Sequence, residues 1–169
     1  MRQIVGVADL KVSTQPGDEI ITYALGSCIA VTLWDPVVCV GGMVHVMLPS
    51  STIDLAKAQE NPSMFVDTGV PRLFVESYKL GAVKSRVEVV AAGGACTTGS
   101  EDDDHFQIGK RNITVLRKLL WKNGVLLKAS DLAGTVARTL SLQIGTGVVS
   151  VRTNGILRQL NKENGGIAA

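Results

Sequence analysis

The sequence lacks the features that mark membrane-spanning, exported and disulfide-stabilised proteins. No apolar stretch reaches the ~18 residues that a transmembrane helix needs, so we expect no membrane insertion. Residues 1–5 enter β-like sequence directly and show no signal-peptide pattern. The three cysteines are an odd number without CxxC spacing, which favours a reducing compartment. Together these absences predict a cytoplasmic location.

Net charge and metal-binding residues are also scarce. The 169 residues carry a formal net charge of only +2 and include only two histidines, so charge does not favour a nucleic-acid partner. No set of Cys and His side chains has the spacing of metal ligands. A chain of this length buries roughly 69% of its unfolded surface, enough for a core without a metal. We therefore expect no nucleic-acid partner, no metal and no cofactor.

The order of apolar patterns predicts one α+β domain. The first third alternates β-rich runs with turn signals, and apolar residues at helical spacing over 65–78 and 113–120 predict two helices. Pro71 is awkward inside the first helix, which should begin near Thr68 or be kinked. The expected fold is a sandwich of mixed, largely antiparallel sheet with the two helices packed on it. We assign the domain to residues 1–160 and a disordered tail to the polar, glycine-rich residues 161–169.

A predicted hairpin brings a thiol close to an imidazole. If its loop consists of Pro36 and Val37, Cys28 lies directly opposite His45, and opposed side chains share a face with Cβ atoms ~4.5–5.5 Å apart. A β-bulge at Gly41-Gly42 would instead put the two side chains on opposite faces. An imidazole can take the proton of an adjacent thiol and return it to a leaving group. From spacing alone, such a thiol is more often a small buried apolar group, and such an imidazole is more often a satisfied core histidine.

Glycines near the thiol suggest where an oxyanion would be bound. Gly26 and Ser27 precede Cys28, and glycine permits unusual backbone geometry. Their backbone N–H groups are candidate donors to a developing oxyanion. Gly94, after a predicted buried strand, is a further candidate for the rim of the site.

The motifs around these residues resemble those of the chemoreceptor glutamine deamidase family, CheD. The resemblance is carried by Ala24-Leu25-Gly26-Ser27-Cys28, by His45-Val46-Met47-Leu48-Pro49 and by Ile108-Gly109-Lys110-Arg111-Asn112. It implies a CheD-like α/β sandwich with a Cys-His-Thr site. In that site Cys28 aligns with the nucleophile, His45 with the base and Thr22 with the third member. Spacing alone does not select Thr22.

The resemblance also implies an activity and partners. The expected reaction converts glutamines on the cytoplasmic domains of chemotaxis receptors to glutamate, and the chemotaxis phosphatase CheC is the expected partner. One alternative is a non-catalytic or dual-role adaptor that binds CheC and receptors. A second is a redox sensor with Cys28 and Cys96 as its peroxidatic and resolving thiols.

Two further groups of polar residues receive structural interpretations. The run Glu101-Asp102-Asp103-Asp104-His105 contains metal-binding residue types, but neighbouring carboxylates in such a run seldom converge, so we expect a solvated loop. Arg111 and Asn112 lie near a predicted helix start, where an anion can bind. We expect them to act as cap or salt-bridge residues instead.

Overall fold

The computed structural model of the chain describes residues 1–98, 104 and 106–161. These residues form ten strands and three α-helices, with two short 3-10 segments, Ser51–Ile53 and Pro62–Met64. The strands are β1 (Arg2–Ile4), β2 (Leu10–Ser13), β3 (Glu19–Leu25), β4 (Ile29–Asp35), β5 (Val40–Val46), β6 (Glu88–Gly93), β7 (Leu127–Leu132), β8 (Arg138–Gln143), β9 (Val149–Thr153) and β10 (Ile156–Gln159). The helices are α1 (Leu55–Glu60), α2 (Val66–Lys79) and α3 (Ile108–Lys122).

Two five-stranded sheets pack face to face, and helices cover one of them. The outer sheet has the strand order β1-β3-β8-β9-β10, and the central sheet has the order β2-β5-β4-β6-β7. Only the pairs β1–β3 and β6–β7 are parallel among the described strands. The predicted α+β sandwich of mixed, largely antiparallel sheet is therefore confirmed.

The central sheet is buried on both faces. Every residue of β4 and β5 is buried, which explains why their sequences are nearly continuous apolar runs. Ile29 and Val31 of β4 pack with α2 and α3 in one cluster. The alternate residues Ala30 and Trp34 pack in the layer between the two sheets. Any functional side chain on the second of these faces must lie between the sheets.

The hairpin that joins β4 to β5 has a longer loop than the sequence predicts. Residues 36–39 form the connection, because Asp35 still pairs with Val40. The fully buried carboxylate of Asp35 accepts a hydrogen bond from the backbone N–H of Val37 at 2.9 Å, so the chain turns away from the strand there. Cys39 closes the loop with a φ of 51°. The prediction of a two-residue loop is therefore wrong.

Both predicted helices are present and extend beyond their apolar stripes. α2 begins at Val66, not near Thr68, and contains Pro71 in its second turn. Pro71 is exposed, so water can reach the carbonyl that its missing N–H leaves unpaired. α1 was not predicted, since Ala58 is its only buried residue and it has no apolar stripe. No helix of the described residues is long and apolar enough to cross a membrane.

Two predictions fall mostly outside the described residues. Of the predicted tail, residues 162–169 are not described, whereas Asn161 accepts a hydrogen bond from Val149 and donates one to Gly147. Of the acidic run, only Asp104 is described. Its carboxylate accepts a hydrogen bond from the backbone N–H of Gln107, next to the start of α3.

We expect Gly147→Ala to destabilise the fold more than Gly155→Ala. Both glycines have a positive φ, 70° and 78°, so a Cβ strains both backbones alike, by about 1–2 kcal/mol. A Cβ at Gly147 would also lie 2.2 Å from the ring of Trp34, whereas one at Gly155 meets nothing within 4 Å. The overpacking should add about 1–3 kcal/mol. Urea unfolding of the two variants measures the difference, and equal losses of stability would contradict the packing between the sheets.

Candidate active site

Cys28 and His45 lie at the end of the central sheet where β4 begins and β5 ends. Ala30 is the residue that pairs with His45, so Cys28 lies two residues further along and outside the ladder. The predicted direct opposition is wrong because the loop is two residues longer than assumed. A shift by two keeps both side chains on the same face. Such diagonal neighbours lie roughly 7–8 Å apart, within reach of long side chains.

Both side chains face the layer between the two sheets. Cys28 packs against the inter-sheet cluster that contains Ala30 and Met43. His45 follows Met43 on the same face of β5, and its ring reaches across the layer to Thr22 of β3. The structure thus brings all three residues of the predicted Cys-His-Thr site to one end of the inter-sheet layer.

The hydroxyl of Thr22 determines which nitrogen of His45 carries hydrogen. Its Oγ1 donates to the carbonyl of Val5 at 2.7 Å and lies 2.7 Å from Nδ1 of His45. A hydroxyl has one proton, and a separation of 2.7 Å between two oxygens requires that proton between them. Nδ1 must therefore donate its own hydrogen to Oγ1. In the neutral ring this leaves the lone pair on Nε2.

The Nε2 atom of His45 is buried and accepts no hydrogen bond from the described residues. The residue is 1% exposed, and burial lowers the pKa of its imidazole to about 4. The ring is therefore neutral at neutral pH. An unpartnered buried acceptor costs about 1–3 kcal/mol of folding free energy. The arrangement therefore reduces stability, but it leaves the lone pair of Nε2 available to accept a proton.

The thiol of Cys28 is half-buried, and burial raises its pKa. It is therefore protonated at neutral pH, and the thiol and the imidazole are both uncharged in the resting site. An attacking Cys28 must lose its proton during the attack, because no thiolate is formed in advance. A neutral imidazole on the same face is suited to accept that proton.

Glycines let the backbone of neighbouring strands approach Cys28. Gly93 has a φ of 116°, and a Cβ there would lie 2.2 Å from the carbonyl oxygen of Cys28. The N–H of Gly94 donates to that same oxygen at 2.8 Å, and the N–H of Gly26 donates to Ala24 at 3.0 Å. Both of these N–H groups already donate to backbone carbonyls and are not available to an oxyanion. Of the three residues predicted for oxyanion binding or the site rim, Ser27 is the remaining candidate donor.

Two groups of the site were missed or misinterpreted from the sequence. The carbonyl of Val5 orients Thr22, and a backbone carbonyl has no sequence signature. Asn112 was assigned to a cap or salt bridge, but α3 has Gln107 at its N-cap position. Asn112 is instead fully buried and donates from Nδ2 to the carbonyls of Ser27 at 2.9 Å and Met47 at 3.2 Å. Its place in the Ile108–Asn112 motif was the only available signal.

Cys96 lies beside the site, on the side of α3. It lines a cavity of about 370 Å³ together with Gly94 and the basic residues Lys110 and Arg117. Its Sγ lies 3.3 Å from the hydroxyl of Thr98. No disulfide joins the cysteines of the described residues.

Comparison with known proteins finds similar chains in one family. Residues 47–153 match the family model CheD, described as CheD chemotactic sensory transduction. The chain is 48% identical to the probable chemoreceptor glutamine deamidase CheD 1 of Syntrophus aciditrophicus, over 90% of this chain and 94% of that protein. It is 47% identical to the probable chemoreceptor glutamine deamidase CheD of Solibacter usitatus, over 93% and 92% of the two chains. The identity to the protein of the same name in Thermococcus kodakarensis is 38%, over 88% and 90%.

The two kinds of match cover the site differently. The family model begins at residue 47 and so does not include Thr22, Cys28 or His45. The alignment to the Syntrophus protein omits only about a tenth of the chain, so it spans residues 22–45 wherever it begins.

We expect folding stability to fall between pH 6.5 and pH 4 because of His45. Its pKa is about 4 in the folded protein and near 6.5 in the unfolded chain, so the unfolded state binds more protons in this window. The free energy of unfolding should fall by about 3 kcal/mol over this window. His45→Asn, which keeps a polar group near Thr22 but does not titrate, should have a flatter profile. Urea unfolding at several pH values tests this, and parallel profiles for the two proteins would contradict the buried neutral ring.

Proposed function

Because the chain belongs to the CheD family, we propose that it is a chemoreceptor glutamine deamidase with Cys28 as nucleophile, His45 as general base and Thr22 as the residue that orients His45. The names of its relatives supply the reaction and the substrate. The observation that carries the assignment of roles is the buried Nε2 of His45, which has no hydrogen-bond partner among the residues that the structure describes, while Nδ1 is fixed by Thr22. We further propose that residues 1–160 act as one domain.

The proposed reaction has two halves joined by a thioester. Sγ of Cys28 attacks the carboxamide carbon of a glutamine side chain while Nε2 of His45 takes the thiol proton. The imidazolium gives that proton to the amide nitrogen, the carbon–nitrogen bond breaks, and ammonia leaves. Water then attacks the thioester and gives a proton to Nε2, and the departing sulfur recovers it. The products are glutamate, ammonia and the free thiol.

Thr22 supports the proton transfer in two ways. By accepting from Nδ1 it holds the tautomer whose lone pair is on Nε2, which is the role of the third group in a catalytic triad. Its oxygen also lies where it can stabilise the imidazolium that forms during each half-reaction. A hydroxyl does this less strongly than a carboxylate, because it carries no charge.

Ser27 is our proposed source of an oxyanion donor. Its backbone N–H lies next to the nucleophile, whereas the amides of Gly26 and Gly94 are engaged within the protein. We assign Gly26 and Gly94 to the rim of the site. Gly94 also borders the cavity that contains Cys96.

The family resemblance supports the remaining parts of the proposal. They are a cytoplasmic location, binding to the cytoplasmic domains of chemotaxis receptors, and binding to a CheC-type phosphatase. Titration of this protein with a purified CheC-type phosphatase in a calorimeter tests the last of these, and absence of heat at micromolar concentrations would contradict it.

A non-catalytic adaptor is the second candidate. The raised pKa of the half-buried Cys28 thiol favours it, because burial leaves the resting thiol without activation. An adaptor would bind receptors without changing them, so chemical analysis of the receptor separates the two candidates.

We expect the wild-type protein to deamidate a receptor cytoplasmic fragment, and Cys28→Ala to be inactive. The reaction replaces an amide by an acid, so mass spectrometry detects it as a mass increase on a glutamine together with released ammonia. Cys96→Ala is the matched control, since it removes a half-buried thiol beside the site, and it should stay active. Activity that persists in Cys28→Ala and disappears in Cys96→Ala would identify Cys96 as the nucleophile. Receptor binding without deamidation would favour the adaptor.

We expect Thr22→Val to lower kcat by about 10–100-fold, less than His45→Ala, because only the orientation of the ring is lost. Thr22→Ser keeps the hydroxyl and should retain activity within a few-fold. Valine matches threonine in shape, so the comparison isolates the hydrogen bond to Nδ1. Equal activity of the valine and serine variants would contradict the orienting role.

A further inference from the structure

The β4–β5 ladder ends between the two reacting residues, because His45 pairs with Ala30 inside it and Cys28 lies just beyond its last pair. Ile29 and Val46 form the last pair of β4 and β5, and beyond them the two chains separate. The N–H of Met47 donates to Met64, while the carbonyl of Cys28 accepts from Gly94. Backbone pairing alone therefore does not hold the segment of Cys28 against the segment that follows His45.

The side chain of Asn112 replaces the missing ladder contact. Its Nδ2 donates one hydrogen to the carbonyl of Ser27 at 2.9 Å and the other to the carbonyl of Met47 at 3.2 Å. Ser27 precedes the nucleophile directly, and Met47 lies two residues after the base. One amide group thus connects the two motifs across the gap.

Close packing of α3 brings Asn112 to this place. A Cβ at Gly109 would lie 2.6 Å from the carbonyl oxygen of Gly94 and 2.7 Å from that of Ala95. A Cβ at Gly94 would lie 2.6 Å from Ile113. The first turns of α3 therefore touch the backbone at the end of β6 with no side chain between them, and Asn112 can reach the backbone next to Cys28.

The chemistry at this position requires a side chain with two hydrogen-bond donors. Asn112 is fully buried, and its Oδ1 has no hydrogen-bond partner among the described residues. Such an unsatisfied acceptor is costly, and a buried position in a helix is usually apolar. A leucine would remove both donors, and an aspartate would place a carboxylate against two carbonyl oxygens. Asn112 supplies both donors, although its Oδ1 is left unsatisfied by the described residues.

We propose that Asn112 is a positioning residue that fixes Cys28 relative to His45. It acts through the backbone, because its side chain is fully buried and donates to the main-chain carbonyls of Ser27 and Met47. The proposal rests on the proposed function, since it presumes that Cys28 and His45 react together. A misplacement of about 1 Å in such a pair can cost roughly 100-fold in rate.

The test compares Asn112→Ala and Asn112→Asp with Leu116→Ala. Leu116 lies one turn further along α3, is fully buried in the helix-facing cluster and does not touch the site. All three variants should lose stability. The two Asn112 variants should lose about 100-fold in kcat for receptor deamidation, with KM changed by less than about threefold. Leu116→Ala should retain kcat when assayed well below its unfolding temperature.

A second readout separates positioning from general damage to the fold. In a Cys39→Ala, Cys96→Ala background, only Cys28 can react with chloroacetamide. His45→Ala should slow this alkylation at neutral pH, and Asn112→Asp should slow it in the presence of His45 but add little in its absence. Coupling of this kind is expected only if the two residues act on the same step.

The outcomes distinguish failure of the inference from failure of the proposed function. If the wild-type protein does not deamidate the receptor fragment, the proposed function is wrong, and if His45→Ala leaves deamidation unchanged, the proposed role of His45 is wrong. If His45→Ala is inactive but the Asn112 variants keep the kcat of Leu116→Ala, the positioning role is wrong. Equal slowing of alkylation by Asn112→Asp with and without His45 would also overturn it.

Discussion

The contact between Thr22 and His45 across the inter-sheet layer is the interaction on which the site depends. It joins β3 of the outer sheet to β5 of the central sheet at 2.7 Å. Because the Thr22 hydroxyl must donate to Val5, the contact also decides the tautomer of the imidazole. A small change in the packing of the two sheets would break the contact and release the ring. The orientation of His45, the proposed base, is therefore a property of the whole sandwich.

Other buried polar contacts hold the two sheets in that arrangement. Nε1 of Trp34 in the central sheet donates to the carbonyl of Ile144 at 2.7 Å. Nη1 of Arg138 in the outer sheet donates to the carbonyl of Gly93 at 2.8 Å, next to the backbone that contacts Cys28. Each such bond contributes only about 1 kcal/mol net. Unlike apolar packing, however, hydrogen bonds are directional, so they fix how the sheets lie against each other.

In the resting site, some buried polar atoms are not satisfied by the described residues, and the thiol and the imidazole are both uncharged. Nε2 of His45 and Oδ1 of Asn112 are both buried without a hydrogen-bond partner in the described part of the chain. Burial makes the neutral form of Cys28 and of His45 the stable one. The unsatisfied acceptors reduce stability, which is a common consequence of constructing an active site. In the proposed mechanism, Nε2 of His45 is then available for a proton, and no ion pair has to be separated before the reaction.

The sequence by itself determined the fold class, the two long helices and the identity of the family, because apolar patterns and the motifs at Cys28 and His45 are local features. It also led to the correct shared face for Cys28 and His45, although the assumed register was wrong, because the error was an even number of residues. The tertiary structure decided the loop length, since the Asp35 carboxylate that accepts from Val37 within the turn also accepts from the distant Val83 and Arg86. It also decided the hydrogen-bond partners of two side chains. Thr22 lies 23 residues from His45 along the chain, and Asn112 lies 85 residues from Ser27. Contacts between such distant residues leave no spacing in a single sequence, because only the packing of the sheets and of α3 brings them together.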